Sequence, residues 1–513
     1  MNTVRVGWLS DWYALGTGFG TVARNVLARL ATFGGCDVRQ LAIGFHPVKA
    51  VASMPDGSEK LEWMNQITGS THTWDLDFPY PGGIPAYEVF GDDPWGQDCL
   101  GEWIERFQPD VMVVNADLWM TAWLVQSAAY QNSLGPQFIY YQPIDGIVAD
   151  GTLPHHFFKG PDGTRHKVNW EELMWRQHWT VLYGEWAREA YMRSLPEQYR
   201  EDAFNRSRVI KHGVDLKVFH PYPKMFARKQ FGFPDDLAEN AFVVGMVATN
   251  QSRKDWPGIA RAMGEFMRRH DNVYFFPWTK FFPAEMDGWD LERLFALHMP
   301  INRIIRNGDL DNDFVMSHDV VNKFYAALDV HVLMHHGEGC GLPHLEAQAA
   351  GTPALAVNYA GIVDYFSQPW LKIRPKFNTT GVRNCIERPD GDQKQLVQKL
   401  EALYADPELR LRIGRKSVPY ARAHWDWDDL AEQWVEIVMT AAEAKHRRDR
   451  ECAENASRVG ESSTEVPGGE SSSATTARRI VTYPEEALDQ LPAAAGKLDA
   501  LRQGMLPGGP TND

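Results

Sequence analysis

Residues 329–361 read D-V-H-V-L-M-H-H-G-E-G-C-G-L-P-H-L-E-A-Q-A-A-G-T-P-A-L-A-V-N-Y-A-G, and this stretch decides the fold. Val330–Met334 is a short apolar run, as a buried strand requires. Three glycines then interrupt it, because glycine permits backbone angles closed to other residues. Apolar residues at helical spacing follow Pro343, and Gly351-Thr352-Pro353 ends that helix before an apolar run at Ala354–Val357. The stretch therefore predicts a strand, a glycine loop, a helix and a second strand.

The front of this predicted helix is suited to a phosphate group, since its free N–H groups and its dipole favour an anion. Two carboxylates flank that position: Glu338 lies in the loop, and Glu346 lies eight positions later, one turn after Leu342. Carboxylates bind phosphate poorly but accept hydrogen bonds from sugar hydroxyls. A phosphate between two hydroxyl acceptors describes a pocket for a nucleotide sugar.

The segment E-G-C-G-L-P-H-L-E-A-Q-A-A-G-T-P resembles the E-x7-E signature of glycosyltransferase family 4, whose members are retaining enzymes with the GT-B fold. An isolated pair of glutamates at this spacing would mark only a solvated turn. The resemblance implies that Glu338 holds sugar hydroxyls and that Glu346 holds the ribose. It also implies donor contacts from Gly339, Cys340, Gly341 and Leu342. Cys340 departs from the aromatic residue usual in the family, so we expect an unusual donor or a looser donor preference.

A second glycine loop lies near the start of the chain, between an apolar run at Val4–Leu9 and a helical period at Val22–Leu30. Its spacing is not that of a dinucleotide-binding loop, and a plain tight turn explains it equally well. The family resemblance implies that the loop after the first strand approaches the donor phosphates and the acceptor. Gly16 and Gly18 are therefore expected at the donor site.

Asp145 follows the apolar run Phe138–Tyr141, so it lies where a parallel sheet collects its ligands. In related enzymes a polar residue after this strand contacts the donor sugar near the reacting carbon. Asp145 is the candidate here, with a turn-capping role before Gly146 as the alternative.

A basic pair, Arg253-Lys254, follows an apolar run at Ala241–Thr249. Arginine offers a planar fork and lysine a compact charge, so together they would neutralise a leaving diphosphate. The segment from Asn250 resembles the phosphate-binding loop of the family, which places Asn250 at the donor as well. A solvated surface pair is the alternative.

The alternation of strands and helices predicts an α/β fold, which the resemblance narrows to GT-B: two doubly wound Rossmann-like domains facing a cleft. Residues 1–220 form the predicted acceptor domain and residues 221–425 the donor domain. Residues 426–445 are expected to cross back to the first domain as a helix. Residues 446–513 are polar and of low complexity, so a disordered tail is predicted there, with a possible short helix at Tyr483–Gln503.

Composition excludes several other classes of protein. The chain has 513 residues, and its net charge of −15 argues against general nucleic-acid binding. Its five cysteines contain no CxxC pair, and no long apolar run suggests a membrane span, so a reducing cytoplasm is expected. Neither His155-His156 nor the acidic run at 309–313 is taken as a metal site.

The expected function is glycosyl transfer from a nucleoside diphosphate sugar, with no cofactor and no metal required. Glu338, Asp145, Arg253 and Lys254 are the candidate catalytic residues. The acceptor, whether glycan, lipid, protein or small molecule, cannot be derived from the residues. Two alternatives stay open: an inactive adaptor that binds nucleotide sugars, and another GT-B enzyme such as an epimerase or a phosphorylase.

Overall fold

The computed structural model describes residues 3–45, 84–89, 92–159, 165–282, 287–306, 318–377 and 385–462. Within them the strands are β1 (Arg5–Asp11), β2 (Asp37–Ile43), β3 (Ala86–Glu88), β4 (Val111–Val114), β5 (Gln137–Gln142), β6 (His155–Lys159), β7 (Arg165–Asn169), β8 (Trp179–Leu182), β9 (Ser207–Val209), β10 (Phe242–Val247), β11 (Val273–Trp278), β12 (Val330–Leu333), β13 (Ala354–Val357), β14 (Lys372–Ile373), β15 (Pro375–Lys376) and β16 (Asp390–Gly391).

The α-helices are α1 (Gly18–Thr32), α2 (Leu100–Phe107), α3 (Ala128–Gln131), α4 (Trp170–Arg176), α5 (Glu185–Ser194), α6 (Glu197–Asn205), α7 (Lys224–Gln230), α8 (Asp235–Asn240), α9 (Trp256–Met267), α10 (Leu291–His298), α11 (His318–Ala327), α12 (Leu342–Ala349), α13 (Gln393–Ala405), α14 (Pro407–His424) and α15 (Trp427–Ser462). Short 3₁₀ turns lie at Leu124–Gln126, Ile301–Arg303, Ala360–Asp364 and Pro369–Leu371.

The first sheet has seven parallel strands in the order β3-β2-β1-β4-β5-β8-β9. Both of its faces are covered, because one buried cluster contains Trp8 and Val113 and the other contains Met112 and Trp103. The strand order reverses direction beside β1, and ligands of such sheets bind beyond the carboxyl ends of the strands at that point.

The second sheet has five parallel strands in the order β11-β10-β12-β13-β14. Aromatic side chains fill the space around β11, where Phe275 and Phe276 are at most 1% exposed. The apolar run at residues 303–306 predicts a further strand, and that prediction is wrong. A 3₁₀ turn stands there, joined to the sheet by the single bridge between Ile304 and Phe275.

His155-His156 and the stretch that follows them predict a loop, and that prediction is wrong for the two histidines, because they begin an antiparallel hairpin of β6 and β7. Short alternating patterns such as this one carry little signal in the sequence.

The two sheets are joined through the segment after β9. Val214 forms a parallel bridge with Asp426, and its N–H donates to the carbonyl of Trp425 at 2.6 Å. A side chain at Gly213 would lie 2.6 Å from the indole of Trp427, so glycine is required for this close approach. The linker and the start of the last helix are therefore packed as one unit.

Helix α15 returns to the first sheet and packs against α1, β4 and β5. Trp434 is 1% exposed; its ring centroid lies 5.6 Å from Trp8 and 4.8 Å from Tyr141. The helix continues to Ser462, so the prediction of disorder from residue 446 is wrong for residues 446–462. Lys445 pairs with Asp449 one turn later, and such pairs stabilise a helix that buries no core. The predicted helix at Tyr483–Gln503 lies outside the described residues.

In the part of the chain that the structure describes, no helix combines the length and the apolar character needed to cross a bilayer.

Replacement of Trp434 by alanine tests whether α15 is held by this packing. Truncating so large a buried ring is expected to lower the free energy of unfolding by about 3–5 kcal/mol. Urea unfolding followed by tryptophan fluorescence would measure the change. The neighbouring exposed residue Glu436, changed to alanine, should stay within about 0.5 kcal/mol of the parent. Equal effects of the two substitutions would contradict the packing role of Trp434.

Candidate active site

The glycine loop after β12 leads into α12 and leaves the helix front open. Gly341 has φ +77°, and a side chain there would lie 2.8 Å from Ile362, so only glycine fits. Pro343 lies in the first turn, where its missing N–H costs no hydrogen bond. The N–H of His344 donates to the carbonyl of Gly341 at 2.8 Å, but no side chain caps the helix, so its positive end remains suited to an anion.

Glu338 lies in this loop and pairs with both predicted cations. Its Oε2 lies 3.1 Å from Nη1 of Arg253, and its Oε1 accepts a hydrogen bond from Nζ of Lys254. Glu338 and Lys254 are each 6% exposed, whereas the side chain of Arg253 is 40% exposed. The structure therefore brings together three of the four predicted catalytic residues.

The backbone fixes this arrangement. Lys254 forms an antiparallel bridge with His335, and the N–H of His336 donates to the carbonyl of Arg253 at 2.9 Å. The N–H of Asp255 donates to the carbonyl of Met334 at 3.2 Å. The loop after β10 and the loop after β12 thus form one unit that holds the cations beside Glu338.

Burial and the neighbouring Arg253 guanidinium lower the pKa of Lys254, and the Asp145 carboxylate opposes them. The ion pair with Glu338 compensates a buried lysine charge only partly, because desolvation is costly. An arriving diphosphate would supply a stronger counter-charge at the same place.

The first domain closes the site through the residues that follow β5. At two of the three loop glycines a side chain would collide with the segment after β5. A side chain at Gly337 would lie 2.1 Å from the carbonyl oxygen of Asp145, and one at Gly339 would lie 2.9 Å from Pro143. The Asp145 carboxylate lies 3.2 Å from Nη1 of Arg388. Asp145 therefore faces the second domain at the cleft, where its predicted contact with a donor sugar remains a prediction.

Glu346 is 9% exposed and accepts a hydrogen bond from the hydroxyl of Tyr325 at 2.7 Å. Burial raises the pKa of Glu346 to about 7, although the Tyr325 hydroxyl and the Arg24 guanidinium lower it. Arg24 comes from α1 of the first domain and bonds Nε2 of His318 at 2.8 Å. The second glutamate is therefore also placed between the domains.

The first glycine loop lies across the cleft from α12. A side chain added at Gly18 would approach the Leu342 methyl at 4.0 Å. Thr17 orders the loop, because its hydroxyl donates to Asp11 at 2.6 Å and accepts from the N–H of Gly20 at 3.0 Å. Gly16 is exposed in the same loop.

Two predicted donor-binding residues are engaged elsewhere in the described structure. The Asn250 side chain bonds the backbone of Trp289, donating at 2.7 Å and accepting at 2.9 Å. Cys340 is 4% exposed, and burial raises the pKa of its thiol, which lies beside the hydroxyl of Tyr365. A phenylalanine at position 340 would have to displace the ring of Tyr365. Contact of either residue with a donor remains a prediction.

Sequence reasoning missed Arg388, Arg24 and Asp117. Arg388 reaches Asp145 from 243 positions away in sequence, and no motif marks it. Asp117 follows β4, as Asp145 follows β5, so its place at the carboxyl end of a strand was a usable signal.

One group could hold a metal ion. Donor atoms of Asp255, His336 and Asp390 lie within 4.8 Å of one another, and one oxygen of Asp255 is buried without a hydrogen-bond partner within the described residues. Nδ1 of His336 lies 3.2 Å from the carbonyl oxygen of Pro389 and 3.5 Å from Asp390, so these contacts account for the position of the ring without a metal. The expectation that no metal is required remains untested.

The model of the family described as "Glycosyl transferases group 1" matches residues 313–418, which contain the glycine loop, α12 and both glutamates. This part of the chain is therefore similar to the group 1 glycosyltransferases. Curated relatives include two proteins named D-inositol 3-phosphate glycosyltransferase. The one from Acidothermus cellulolyticus is 32% identical over 237 residues, which are 43% of this chain and 46% of that protein. The one from Thermobispora bispora is 26% identical over 264 residues, 50% and 55% of the two chains. The chain spans about half the length of these relatives.

Solved structures of glycosyltransferases resemble this chain over both domains. Sucrose-phosphate synthase from Thermosynechococcus elongatus aligns with a TM-score of 0.61 at 17% identity, covering 86% of this chain and all of that one. A glycosyltransferase from Rickettsia africae aligns with a TM-score of 0.56 at 14% identity, covering 86% and 99%. Starch synthase IV from Arabidopsis thaliana, bound to ADP and acarbose, aligns at 0.54 and 13% identity, covering 86% and 100%. The predicted GT-B fold is confirmed.

Replacement of Glu346 by glutamine tests its charge state. A raised pKa means that the protonated carboxyl favours folding, so its contribution is full below about pH 4.5 and is lost as the pH rises through about 7. Glutamine keeps an acceptor for Tyr325 without the buried charge. The variant should match the parent at pH 4.5 and exceed its free energy of unfolding by about 1–3 kcal/mol at pH 8.

Urea unfolding at the two pH values would measure this difference. The exposed Glu189, changed to glutamine, serves as the matched control and should show no pH-dependent gain. The same gain at both pH values for Glu346→Gln would contradict the raised pKa.

Proposed function

We propose that this chain transfers a sugar from a nucleoside diphosphate sugar to an acceptor, with retention of configuration and without a metal ion. The family match over residues 313–418 and the GT-B fold support glycosyl transfer. The observation that carries the proposal is the contact of Arg253 and Lys254 with Glu338 at the open front of α12.

The two cations and the helix amides would hold the diphosphate of the donor. Glu338 occupies the cations in this structure, so a bound diphosphate would replace a carboxylate contact with charge-assisted bonds to phosphate oxygens. The released Glu338 carboxylate would then accept hydrogen bonds from the donor sugar, and Glu346 would accept them from the ribose. Donors fixed where charge develops contribute the largest single share of many rate enhancements.

Transfer breaks the bond between the anomeric carbon and the phosphate oxygen, and the electron pair stays on that oxygen. The acceptor hydroxyl oxygen forms the new bond to the anomeric carbon from the same face, and its proton passes to the departing phosphate. Arg253 and Lys254 stabilise the growing negative charge of the leaving group. Asp145, held by Arg388 at 3.2 Å, lies on the opposite wall, where a carboxylate stabilises a positively charged sugar ring.

The alternatives make different predictions about turnover. An inactive adaptor would bind the nucleotide sugar without releasing the nucleoside diphosphate. An epimerase or a phosphorylase would use the same cleft but would not join the sugar to an added acceptor. The presence of both glutamates and both cations around one helix front favours transfer.

Replacement of Lys254 by alanine is expected to lower the rate of nucleoside diphosphate release by about 10²- to 10³-fold, because one preorganised charge on the leaving group is lost. Hydrolysis of uridine, adenosine and guanosine diphosphate sugars without acceptor would be followed by product release. Lys229→Ala removes an exposed lysine on α7 and should leave the rate unchanged. A parent protein that binds these donors but releases no nucleoside diphosphate would favour the adaptor.

Removal of divalent ions should leave the reaction intact, because protein cations and helix amides already face the phosphate position. Dialysis against EDTA, followed by metal analysis and the same release assay, would test this expectation. Loss of activity that Mg²⁺, Mn²⁺ or Zn²⁺ restores would contradict metal independence and would direct attention to the Asp255, His336 and Asp390 group.

A further inference from the structure

Three carboxylates lie at the carboxyl ends of neighbouring strands in the first sheet. Leu9 of β1 pairs with Val114 of β4, which pairs with Tyr140 of β5. Asp11 is the last residue of β1. Asp117 follows the end of β4, and Asp145 follows the end of β5. All three therefore reach the edge of the sheet that faces the group 1 domain, the edge from which an acceptor would approach the donor sugar.

Their charges interact with one another and with the site. Burial, assisted by the Asp145 and Asp11 carboxylates, raises the pKa of Asp117 to about 6, although the Arg253 guanidinium opposes this shift. Burial also raises the pKa of Asp11, although the hydrogen bond from Thr17 opposes this. Because Arg388 pairs with Asp145, the remaining negative charge among the described residues of this wall comes from Asp11 and Asp117.

An exposed tryptophan, packed on a partly buried one, borders these carboxylates. Trp119 is 43% exposed, and its ring meets Trp95 edge to face with centroids 5.4 Å apart. Trp119 also lies close enough to the Asp117 carboxyl to lower its pKa. An amphipathic ring held beside hydrogen-bond acceptors provides a flat apolar face and polar partners together, which is what the ring of a sugar requires.

A buried amide at the same edge is left without partners. Gln142 ends β5 and is 1% exposed, yet neither its side-chain oxygen nor its side-chain nitrogen has a hydrogen-bond partner within the described residues. Buried polar groups are nearly always bonded, so a partner outside the protein chain is indicated here. A hydroxyl of a ligand or an ordered water would satisfy this amide.

We propose that the acceptor is a sugar or amino-sugar ring that carries no phosphate, bound between Trp119 and the carboxylates of Asp11, Asp117 and Asp145. This inference rests on the proposed function and names the substrate class of its second site. Hydroxyl and ammonium groups donate to carboxylates, whereas a phosphate is repelled by them in a partly desolvated cleft. The curated relatives bear the name of a phosphorylated polyol, so the inference separates this chain from them.

The test uses the full chain and three matched pairs of acceptors. The pairs are glucose and glucose 6-phosphate, glucosamine and glucosamine 6-phosphate, and inositol and inositol 3-phosphate. Each is offered with the nucleotide sugar that shows the fastest acceptor-free hydrolysis. We expect kcat/KM for the unphosphorylated sugar of a pair to exceed that of its ester at least tenfold, which corresponds to about 1.4 kcal/mol.

Substitutions at two positions test which residues cause the preference for the unphosphorylated sugar. Asp117→Asn should reduce the ratio of the two kcat/KM values, mainly by lowering KM for the ester. The control Asp235→Asn, at an exposed carboxylate on α8, should leave this ratio unchanged. Trp119→Ala should raise KM for both members of a pair, and Trp119→Phe, which keeps a flat apolar ring, should restore most of the lost affinity. This rescue by an aromatic ring would not follow from a merely structural role.

Equal use of both members, a preference for the esters, or use of neither would overturn the inference about the acceptor. In each of these outcomes persistent hydrolysis of the donor would leave the proposed function standing. Absence of nucleoside diphosphate release in every arm would instead overturn the proposed function.

Discussion

The structure depends on one charged contact, the pairing of Glu338 with Arg253 and Lys254 in a nearly buried position. An ion pair of this kind adds little net stability, because the cost of desolvating its members offsets most of their attraction. Its value lies in placing two cations at an open helix front before any ligand arrives. The backbone bridge between Lys254 and His335 makes that placement a property of the fold rather than of flexible side chains.

The domains meet through polar contacts beside this pair. A carboxylate of Asp364 accepts the N–H of Trp186 at 2.9 Å and so occupies the positive end of α5. The Tyr365 hydroxyl accepts from the N–H of His212 at 2.9 Å and donates to a carbonyl of the first domain. Glycines at the interface let backbones approach where side chains would collide. The cleft is therefore narrow on the side of the glycine loop.

The sequence could predict what local pattern dictates. The apolar run at Ala354–Val357 predicted β13 with its observed bounds, and the spacing of glycines and glutamates located the loop and α12. It could not predict Arg388, since its contact with Asp145 spans 243 positions. The helical state of residues 446–462 was missed because low apolar content was taken as disorder, whereas ion pairs such as Lys445 with Asp449 favour a helix. Nor could the sequence show that the Asn250 side chain, expected at the donor, hydrogen-bonds the backbone of Trp289 instead.

The two walls of the cleft carry opposite charge for a common physical reason. Both lie at carboxyl ends of parallel strands, yet the second sheet offers helix amides and cations there, and the first offers Asp11, Asp117 and Asp145. In the proposed reaction, the wall of the second sheet would stabilise the leaving diphosphate, and the wall of the first sheet would stabilise a positively charged sugar ring. The charge separation along the breaking bond would then be aligned with the field between the walls. This alignment would orient the donor and leave the acceptor to approach past the carboxylates.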